Sequence, residues 1–381
     1  LIDQEAIQRA TSVYLVDRVV PMLPEVLSNG VCSLRPNEDK LTFASIFEIT
    51  PDAKIVNTWI GRTIIHSDRR FAYEEVQDIL EHNEGEFVEE LTILNNLAKT
   101  TRKARLDSGS IAFDKVEVRF RLDEHKKPAG VYFKIQKDAH KLIEEFMLLA
   151  NKAVAEKIAL PPKGESAKTF VYRIHDKPNP EKLLAFSEFI KTFGYKFNAN
   201  TENIADSMNQ LLMEIQGERE ENMIEHLAIR TMAKAVYSTQ NIGHYGLGFK
   251  NYTHFTSPIR RYPDMMVHRL LQRYLDHKPS DDEAVYEKWC KHSSNQEKKA
   301  ADAERQSIKY FQVLFMENEV GKSFKGVISG VTEWGIYVEI VENKCEGMVR
   351  LREISGDYFS FDESQHRIVG HNTGKIYQLG D

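Results

Sequence analysis

The sequence predicts an α+β protein with a large N-terminal domain, in which helices surround a mixed sheet, and a small C-terminal β-barrel. Residues 111–122 alternate apolar and polar side chains as a half-buried strand does, and residues 137–159 repeat apolar side chains at helical spacing. The composition then changes near Glu319, after which short strand patterns are separated by glycines. We therefore expect one domain at 1–318 and a second at 319–381.

The elements of the large domain follow in order along the chain. Strands are expected at 41–47 and 56–65, and a helical pattern at 71–98 is interrupted at 83–86. The strand at 111–122 has a partner at 131–135. The helix at 137–159 can be capped by Asp138 and ends at Pro161-Pro162, because proline cannot continue a helix. Further helical patterns follow at 184–194, 201–214, 221–238, 263–277 and 283–318.

Composition and charge exclude several classes of protein. Of the 381 residues, 41% are apolar and 10% aromatic, and 51 Lys and Arg against 57 Asp and Glu give a formal net charge of −6. These values exclude a disordered chain, a collagen and a coiled-coil rod, and no apolar run reaches the ~18 residues that a membrane span needs. The cysteines share no CxxC spacing, which argues against a disulfide scaffold or a thiolate zinc site and favours the cytoplasm.

The two ends of the sequence carry a separate prediction. The chain begins at Leu1 without an initiator methionine or a signal-peptide pattern. It ends at Asp381, soon after a strand-like stretch at 375–378. We therefore expect both ends to be cut, with functional residues lying outside the 381 residues.

The densest group of candidate functional residues lies between His244 and Asp264. From Phe249 to Lys278 there are six Lys or Arg and two acidic residues, an excess of positive charge within an acidic chain. An adjacent arginine pair follows several hydroxyls and a proline, just before a helix. Guanidinium groups donate forked hydrogen bonds, so this pattern indicates a phosphate clamp. The alternative interpretation is a solvated, basic start of a helix.

The C-terminal tail resembles the S1 RNA-binding domain, an OB-fold. The resemblance rests on GVISGVTEWGIYVEI at 326–340 and EGMVRL at 346–351. It implies an RNA-binding face on which aromatic rings stack on bases and basic side chains hold phosphates, formed here by Phe324, Trp334, Tyr337 and Arg350. The alternative is that Trp334 and Tyr337 are core residues, although Gly335 between them favours a close approach of two backbones. The final strands of such a barrel are expected to be missing.

Four blocks of the larger part resemble the ribonuclease II/ribonuclease R (RNB) exoribonucleases. They are ATSVYL with VVPMLPE and LSNGVCSL at 10–34, DAHKLIEEFMLLAN at 138–151, YRIHD at 172–176 and HFTSPIRRYPDMMVHRLLQ at 254–272. Their order, with an S1 domain after them, is the order of the family. The first and last blocks are more similar to the ribonuclease R branch than to ribonuclease II. Ala10 stands where the family usually has glycine.

The resemblance implies processive 3′→5′ hydrolysis of single-stranded RNA to nucleoside 5′-monophosphates, assisted by a divalent metal that is normally Mg²⁺. By position, Tyr14 and Phe113 would stack on the 3′-terminal base, and Arg260 would steady the scissile phosphate. Glu304 matches a carboxylate near the 3′ end. Arg261 is implied to contact the RNA backbone. Glu144 or Glu145 is implied to contact sugar or base edges from the helix. We expect a monomer that binds single-stranded RNA in the cytoplasm and does not bind membranes.

The metal ligands that the resemblance implies are missing from these residues. In the family they form a cluster of aspartates before the first block, and no DxDD cluster occurs in the 381 residues. Asp281-Asp282 lies in a polar loop, and Asp264 is better interpreted as a residue of a helix N-terminus. Without such carboxylates no hard cation is held to activate water.

Three functions are therefore open from the sequence. The first is a part of an RNB exoribonuclease that lacks the metal ligands and is itself inactive. The second is a non-catalytic, RNB-like RNA-binding scaffold, and the third is an S1 protein whose larger domain is a platform for a partner. The presence of Tyr14, Phe113, Arg260 and Glu304 favours the first, because a scaffold has little need of them.

Overall fold

The computed structural model describes residues 1–113, 117–201, 203–218, 220–362 and 367–381. Helices and strands are both abundant in these ranges, which confirms the α+β class. The α-helices are α1 (Ile2–Arg9), α2 (Tyr73–His82), α3 (Val88–Asp107), α4 (Asp138–Ala159), α5 (Pro180–Lys191), α6 (Ile204–Glu214), α7 (Glu221–Thr231), α8 (Tyr262–Leu275) and α9 (Glu283–Glu317).

The strands pair in the order in which they occur along the chain. They are β1 (Val13–Tyr14), β2 (Val19–Val20), β3 (Asp39–Ile49), β4 (Ile55–His66), β5 (Glu117–Leu122), β6 (Pro128–Lys134), β7 (Tyr172–Ile174), β8 (Val236–Ser238), β9 (Gly326–Thr332), β10 (Gly335–Ile340), β11 (Glu346–Arg350), β12 (Phe359–Asp362), β13 (Arg367–Gly370) and β14 (Ile376–Gln378).

The mixed sheet expected in the large domain is not what the described strands form. β1 pairs with β2, β3 with β4, β5 with β6 and β7 with β8, and each of these ladders is two-stranded and antiparallel. The strands of the β1–β2, β3–β4 and β5–β6 ladders are close in sequence, whereas α5, α6 and α7 lie between β7 and β8. A parallel bridge between His175 and His244 extends the β7–β8 region towards the candidate site.

The segment before β5 also differs from the expectation. Residues 111–122 were expected to form one strand, but β5 begins at Glu117, and 114–116 lie outside the described residues. The backbone amide of Ile111 donates to the carbonyl of Gly246, at 2.9 Å, and that of Ala112 donates to Oδ1 of Asn209, at 3.0 Å. The described β5–β6 register begins at Glu117, so Phe113 is not part of it.

Two apolar cores support the large domain. The first joins α4, α8 and α9 through buried side chains such as Val154, Leu270 and Cys290. The second lies among α5, α6 and α7 and includes Ile111. Asp138 does not cap α4 as expected, because it is the first helical residue and its carboxylate pairs with Lys99 on α3 at 2.7 Å.

The C-terminal strands form two three-stranded antiparallel sheets, β11-β10-β9 and β12-β13-β14. They share a core that includes Ile328, Ile336, Phe359 and Ile368. The carbonyl of Ile328 accepts from Gly380 N–H, and the amide of Ile328 donates to Asp381, both at 2.9 Å. The described strands therefore enclose one core without the continuous ladder of the closed barrel that the sequence predicts.

Within the described part of the chain, none of the helices combines the length and the apolarity that crossing a membrane requires.

Candidate functional site

A cavity of about 800 Å³ lies where α3, α4, α7 and α9 meet the segments at 111–113 and 244–247. Two residues expected to bind RNA, Phe113 and Glu144, are in its wall. Among the described residues that line it, one is acidic, Glu144, and six are basic: Arg102, Arg105, Lys182, Arg230, Lys234 and Arg305. Such a wall favours an anionic ligand, because the surrounding low-dielectric protein strengthens the field of the cations.

Glu145 follows Glu144 on α4 but is not among the described residues that line the cavity, and it forms a buried ion pair. Its side chain is 2% exposed, and Arg105 contacts both of its carboxylate oxygens, through Nη2 to Oε1 and through Nε to Oε2 at 3.2 Å. Nη1 of Arg105 donates to Oγ of Ser110 at 2.6 Å. Glu145 therefore orients a guanidinium of the cavity wall, and Glu144 is the member of the pair that can contact a ligand.

Two histidines in the cavity wall, His175 and His244, are neutral. The amide of Gly246 donates to Nδ1 of His175 at 3.0 Å, and Nε2 of His175 donates to the carbonyl of Ala233 at 2.8 Å. These contacts fix the neutral tautomer. Burial lowers the pKa of His175 and lowers that of His244 to about 3, the two rings lying with their centroids 5.0 Å apart. Both imidazoles are therefore uncharged at neutral pH.

A second group of site residues is assembled by the backbone around β1. The amide of Ser12 donates to the carbonyl of Arg260 at 3.0 Å, and the amide of Tyr14 donates to Oε1 of Glu304 at 2.9 Å. These bonds tie β1 both to the loop before α8 and to α9. The residue after Glu304 is Arg305, which lines the cavity. Tyr14, Arg260 and Glu304, far apart in the sequence, are therefore linked through the backbone around β1, but none of the three is among the described residues that line the cavity with Phe113.

The two adjacent arginines have different environments. Arg261 donates from Nε and Nη2 to the two carboxylate oxygens of Asp264, each at 2.8 Å, and Asp264 is fully buried. Asp264 also accepts from the amide of Ser257 at 2.8 Å, in the first turn of α8, as the helix N-terminal interpretation expected. Arg260 is exposed. Arg261 therefore holds the loop in place, and Arg260 presents its guanidinium outward.

Buried polar side chains form hydrogen bonds with the loop that carries these arginines. Asn151 on α4 accepts from the amide of Phe255 at 2.8 Å and donates to the hydroxyl of Tyr252 at 3.2 Å. The hydroxyl of Tyr237 lies 2.8 Å from Nδ1 of His254, whose pKa is held well below its usual value by burial. These contacts give the loop a fixed conformation before any ligand binds.

The four residues expected on the RNA face of the S1-like tail differ in exposure. Trp334 is 69% exposed and Arg350 is also exposed, whereas Phe324 and Tyr337 are half-buried. Trp334 is thus not a core residue. Gly335 pairs with Arg350, and a Cβ on Gly335 would lie 2.1 Å from the carbonyl oxygen of Val349, so glycine permits the close approach of β10 and β11. The exposed ring of Trp334 and the exposed side chain of Arg350 therefore lie at the same end of the β10–β11 pair.

The described residues do not provide a metal site. Nowhere in the described ranges do three or more His, Cys, Asp or Glu side chains come together so that they could hold a metal ion. The carboxylate of Glu304 accepts a backbone hydrogen bond, and that of Asp264 is bound to Arg261. These groups do not fit a divalent cation, and we derive no chemical step through one.

Sequence reasoning missed most of the basic wall and both cavity histidines. The six cations come from α3, α5, α7, α9 and the segment after α7, so they form no run that local charge counting can detect. His175 lies in the YRIHD block at 172–176, and His244 begins the segment that contains the arginine pair. The position of each histidine inside one of these segments was the available signal.

Comparison with known proteins gives two family matches. Residues 1–277 match the RNB domain, and residues 317–376 match the S1 RNA binding domain. Ribonuclease R 1 of Lactococcus lactis is 37% identical over 399 residues, covering 100% of this chain and 47% of that protein. Ribonuclease R of Aquifex aeolicus is 38% identical over 390 residues, covering 100% of this chain and 54% of that protein.

Among solved structures, Mycoplasma genitalium RNase R in complex with ribose methylated single-stranded RNA superposes with a TM-score of 0.91. The identity is 29%, and the match covers 100% of this chain and 61% of that one. The chain spans about half the length of the curated relatives it matches.

Proposed function

The chain belongs to the RNB family, is ribonuclease R-like and carries an S1 domain, and from this membership we propose that the protein containing it is a 3′→5′ exoribonuclease. The observation that carries the proposal is the cavity in which Phe113 and Glu144 lie among six basic side chains. A ligand that suits this wall has a planar group for the ring and several negative charges for the cations. Single-stranded RNA has both at every nucleotide.

The residues of the chain have separate roles in the proposal. Phe113 stacks on a base near the 3′ end, and the neutral imidazole of His244 donates to the sugar or base without adding charge. Tyr14, whose ring is 44% exposed, stacks on the terminal base, and Glu304 fixes its position through the backbone hydrogen bond. Arg260 contacts the scissile phosphate, because its guanidinium, unlike that of Arg261, is exposed.

The chemistry proposed for the whole protein is processive hydrolysis to nucleoside 5′-monophosphates. RNB nucleases generally depend on a divalent metal, and we propose Mg²⁺ as that metal in this protein. Such a metal, if held elsewhere in the whole protein, would supply an activated water and neutralise the charge of the phosphate. The described residues bind and orient the RNA, and we assign none of them as a metal ligand.

The remaining parts of the proposal concern organisation. The 1–318 and 319–381 boundaries are proposed for the RNB and S1 domains, because α9 ends at Glu317 and the C-terminal strands begin at Gly326. Phe324, Trp334, Tyr337 and Arg350 are proposed to bind the RNA before it reaches the cavity. We further propose that the protein acts as a monomer in the cytoplasm.

Dependence of binding on a free RNA end tests the proposal on the chain itself. A linear oligoribonucleotide and a circular one of the same sequence are compared for affinity in the absence of metal. We expect the linear RNA to bind at least tenfold more tightly. A circular RNA can contact the RNA face of the S1-like tail, but it has no end to place in the cavity. Equal affinities would overturn the assignment of the cavity to the 3′ end.

Hydrolysis by the whole protein separates the nuclease from a non-catalytic RNA-binding scaffold. With 5′-labelled RNA and Mg²⁺, the nuclease proposal predicts labelled products that shorten stepwise from the 3′ end. A protein that binds linear RNA preferentially but leaves the label at full length would be the scaffold instead.

A further inference from the structure

The β5–β6 hairpin has two chemically different faces. The register pairs Arg119 with Tyr132 and Glu117 with Lys134, which places these four side chains on the same face. The other face carries Phe120, whose ring centroid lies 6.1 Å from that of Phe311 on α9. The apolar face thus fixes the hairpin to α9, and the face with Arg119, Arg121, Tyr132 and Lys134 is turned away from that core. We call it the cationic face.

The cationic face combines a stacking surface with phosphate donors. The guanidinium of Arg121 lies over the ring of Tyr132, with its carbon 5.8 Å from the ring centroid, and Tyr132 is 41% exposed. Gly130 is opposite Arg121, and a Cβ built there would have no other atom within 4 Å, so the space beside the pair is open. A ring next to a guanidinium is the arrangement that binds single-stranded nucleic acid without reading its sequence.

The net charge of the cationic face is positive. Glu117 lies 2.7 Å from Arg119 and neutralises it. Arg121 and Lys134 remain as the excess positive charges. This charge is complementary to an RNA backbone and opposite in sign to the whole chain, whose net charge is −6.

The hairpin begins and ends at the rim of the cavity. Phe113, before β5, and Gln136, after β6, both line the cavity. On α9, Arg305 lines the cavity, whereas Phe311 contacts the hairpin. The next residue, Gln312, donates to the carbonyl of Lys344 in the S1-like region at 3.2 Å. The hairpin therefore packs on the stretch of α9 between the cavity and the S1-like region.

We propose that the cationic face binds single-stranded RNA at nucleotides on the 5′ side of those in the cavity. The inference rests on the proposed function, because it takes the cavity as the site of the 3′ end. Tyr132 stacks on a base, and Arg121 donates to the phosphate next to it. The face thus connects the S1-like region to the cavity along one strand of RNA.

Affinity as a function of RNA length tests the proposal with the 381-residue chain. Tyr132→Ala and Arg121→Ala are compared with the unsubstituted chain on oligoribonucleotides from 4 to 16 nucleotides. We expect no change for the shortest RNA, which fills only the cavity, and a loss of roughly fivefold or more for the longest. For Arg121→Ala, the slope of log affinity against log salt also falls by about 0.7 on long RNA. An equal loss at all lengths, or no loss at any, would overturn the proposal.

Matched variants separate this effect from a general one. Tyr132→Phe keeps the ring and is expected to bind long RNA as the unsubstituted chain does. Arg35→Ala removes an exposed arginine from the loop before β3 and is expected to change neither affinity nor length dependence. Thermal unfolding of each variant identifies any that are misfolded.

A measurement on the unsubstituted chain removes dependence on the variants. A 2-aminopurine placed at successive positions of a 16-nucleotide RNA reports stacking by a change in fluorescence. We expect two separate regions of change, one at the 3′ end and one upstream that disappears in Tyr132→Ala. A change at the 3′ end alone would overturn the role of the hairpin while leaving the proposed function intact, whereas no change at the 3′ end would contradict the proposed function itself.

Discussion

The backbone amide of Tyr14 donates a 2.9 Å hydrogen bond to Oε1 of Glu304, which joins the first strand to the middle of α9. The bond spans 290 positions of sequence and fixes the backbone of Tyr14, whose ring is proposed to stack on RNA, and the residue after Glu304, Arg305, lines the cavity. Glu304 therefore acts on RNA binding through the position of Tyr14.

Replacing Glu304 tests this role. Glu304→Ala removes the acceptor for the Tyr14 amide, and we expect affinity for a linear RNA to fall about fivefold to tenfold, since such a bond contributes about 1 kcal/mol. Glu304→Gln keeps an acceptor oxygen and is expected to lose less than half of that. Glu317→Ala, at the exposed end of the same helix, is the control. Equal losses in the Ala and Gln variants would show that charge, rather than positioning, is what matters.

Replacing Glu145 is predicted to lower stability, whereas replacing its neighbour Glu144 is predicted to change RNA affinity. Glu145→Ala leaves the buried guanidinium of Arg105 without its partner, and we expect the free energy of unfolding to fall by about 3–5 kcal/mol. Glu144→Ala is expected to leave stability within about 0.5 kcal/mol of the parent and to change RNA affinity. Urea denaturation and RNA titration of both variants check the pair. Similar stabilities would contradict the assigned orientations.

A corresponding contrast is predicted for the arginine pair. Arg261→Ala removes the partner of the fully buried Asp264 and is expected to destabilise the fold by about 3–5 kcal/mol. Arg260→Ala is expected to leave unfolding unchanged and, in the whole protein, to lower kcat far more than RNA affinity. Single-turnover kinetics with RNA titration provide the measurement. Equal losses in turnover and in RNA affinity would show that Arg260 only anchors a phosphate.

The buried histidines predict how stability depends on pH. The folded pKa of His244 is about 3, below the ordinary value of 6.5, so the unfolded chain takes up a proton first as pH falls. The stabilisation that the neutral His244 provides is therefore fully present above about pH 6.5. As the pH falls from there towards the folded pKa, the free energy of unfolding decreases by about 1.4 kcal/mol per pH unit for this group. In denaturation experiments, the free energy of unfolding of His244→Asn should fall by about 1.4 kcal/mol less than that of the parent between pH 6 and pH 5. An unchanged slope would mean that His244 titrates normally in the fold.

The S1-like region provides a prediction about its exposed ring. Trp334→Ala should weaken RNA binding by roughly fivefold or more without loss of stability, because the ring is 69% exposed. Ile336→Ala, in the shared core, should lower the free energy of unfolding by about 2–5 kcal/mol. Fluorescence titration and thermal unfolding distinguish these effects. A large drop in stability for Trp334→Ala would restore the core interpretation.

Most helices were predicted well because their signals are local, but the expected helix at 221–238 is wrong beyond Thr231, because β8 occupies Val236–Ser238. α4 was expected at 137–159 and occupies Asp138–Ala159, and α9 was expected at 283–318 and occupies Glu283–Glu317. The buried side of α4 was less accurately predicted. The structure buries Glu145 between Leu142 and Leu148, at a spacing of three residues. A glutamate at an apolar spacing was not recognised as buried, because its partner, Arg105, is 40 residues away.

Long-range contacts could not be predicted from the sequence pattern either, because the partners are distant in the sequence. Alternation at 111–122 predicted a single strand, but the amides of Ile111 and Ala112 bond to Gly246 and Asn209. The basic cavity wall is likewise assembled from separate helices. Pattern identifies which side of an element is apolar, and it does not specify which distant segment covers that side.

The most direct test of the account is to locate the RNA end by cross-linking. An oligoribonucleotide with 4-thiouridine at its 3′-terminal position is bound to the chain, irradiated and mapped by mass spectrometry. The account predicts cross-links in the segments around Tyr14, Phe113 and Arg260. Cross-links confined to the S1-like region, with none in those three segments, would contradict it.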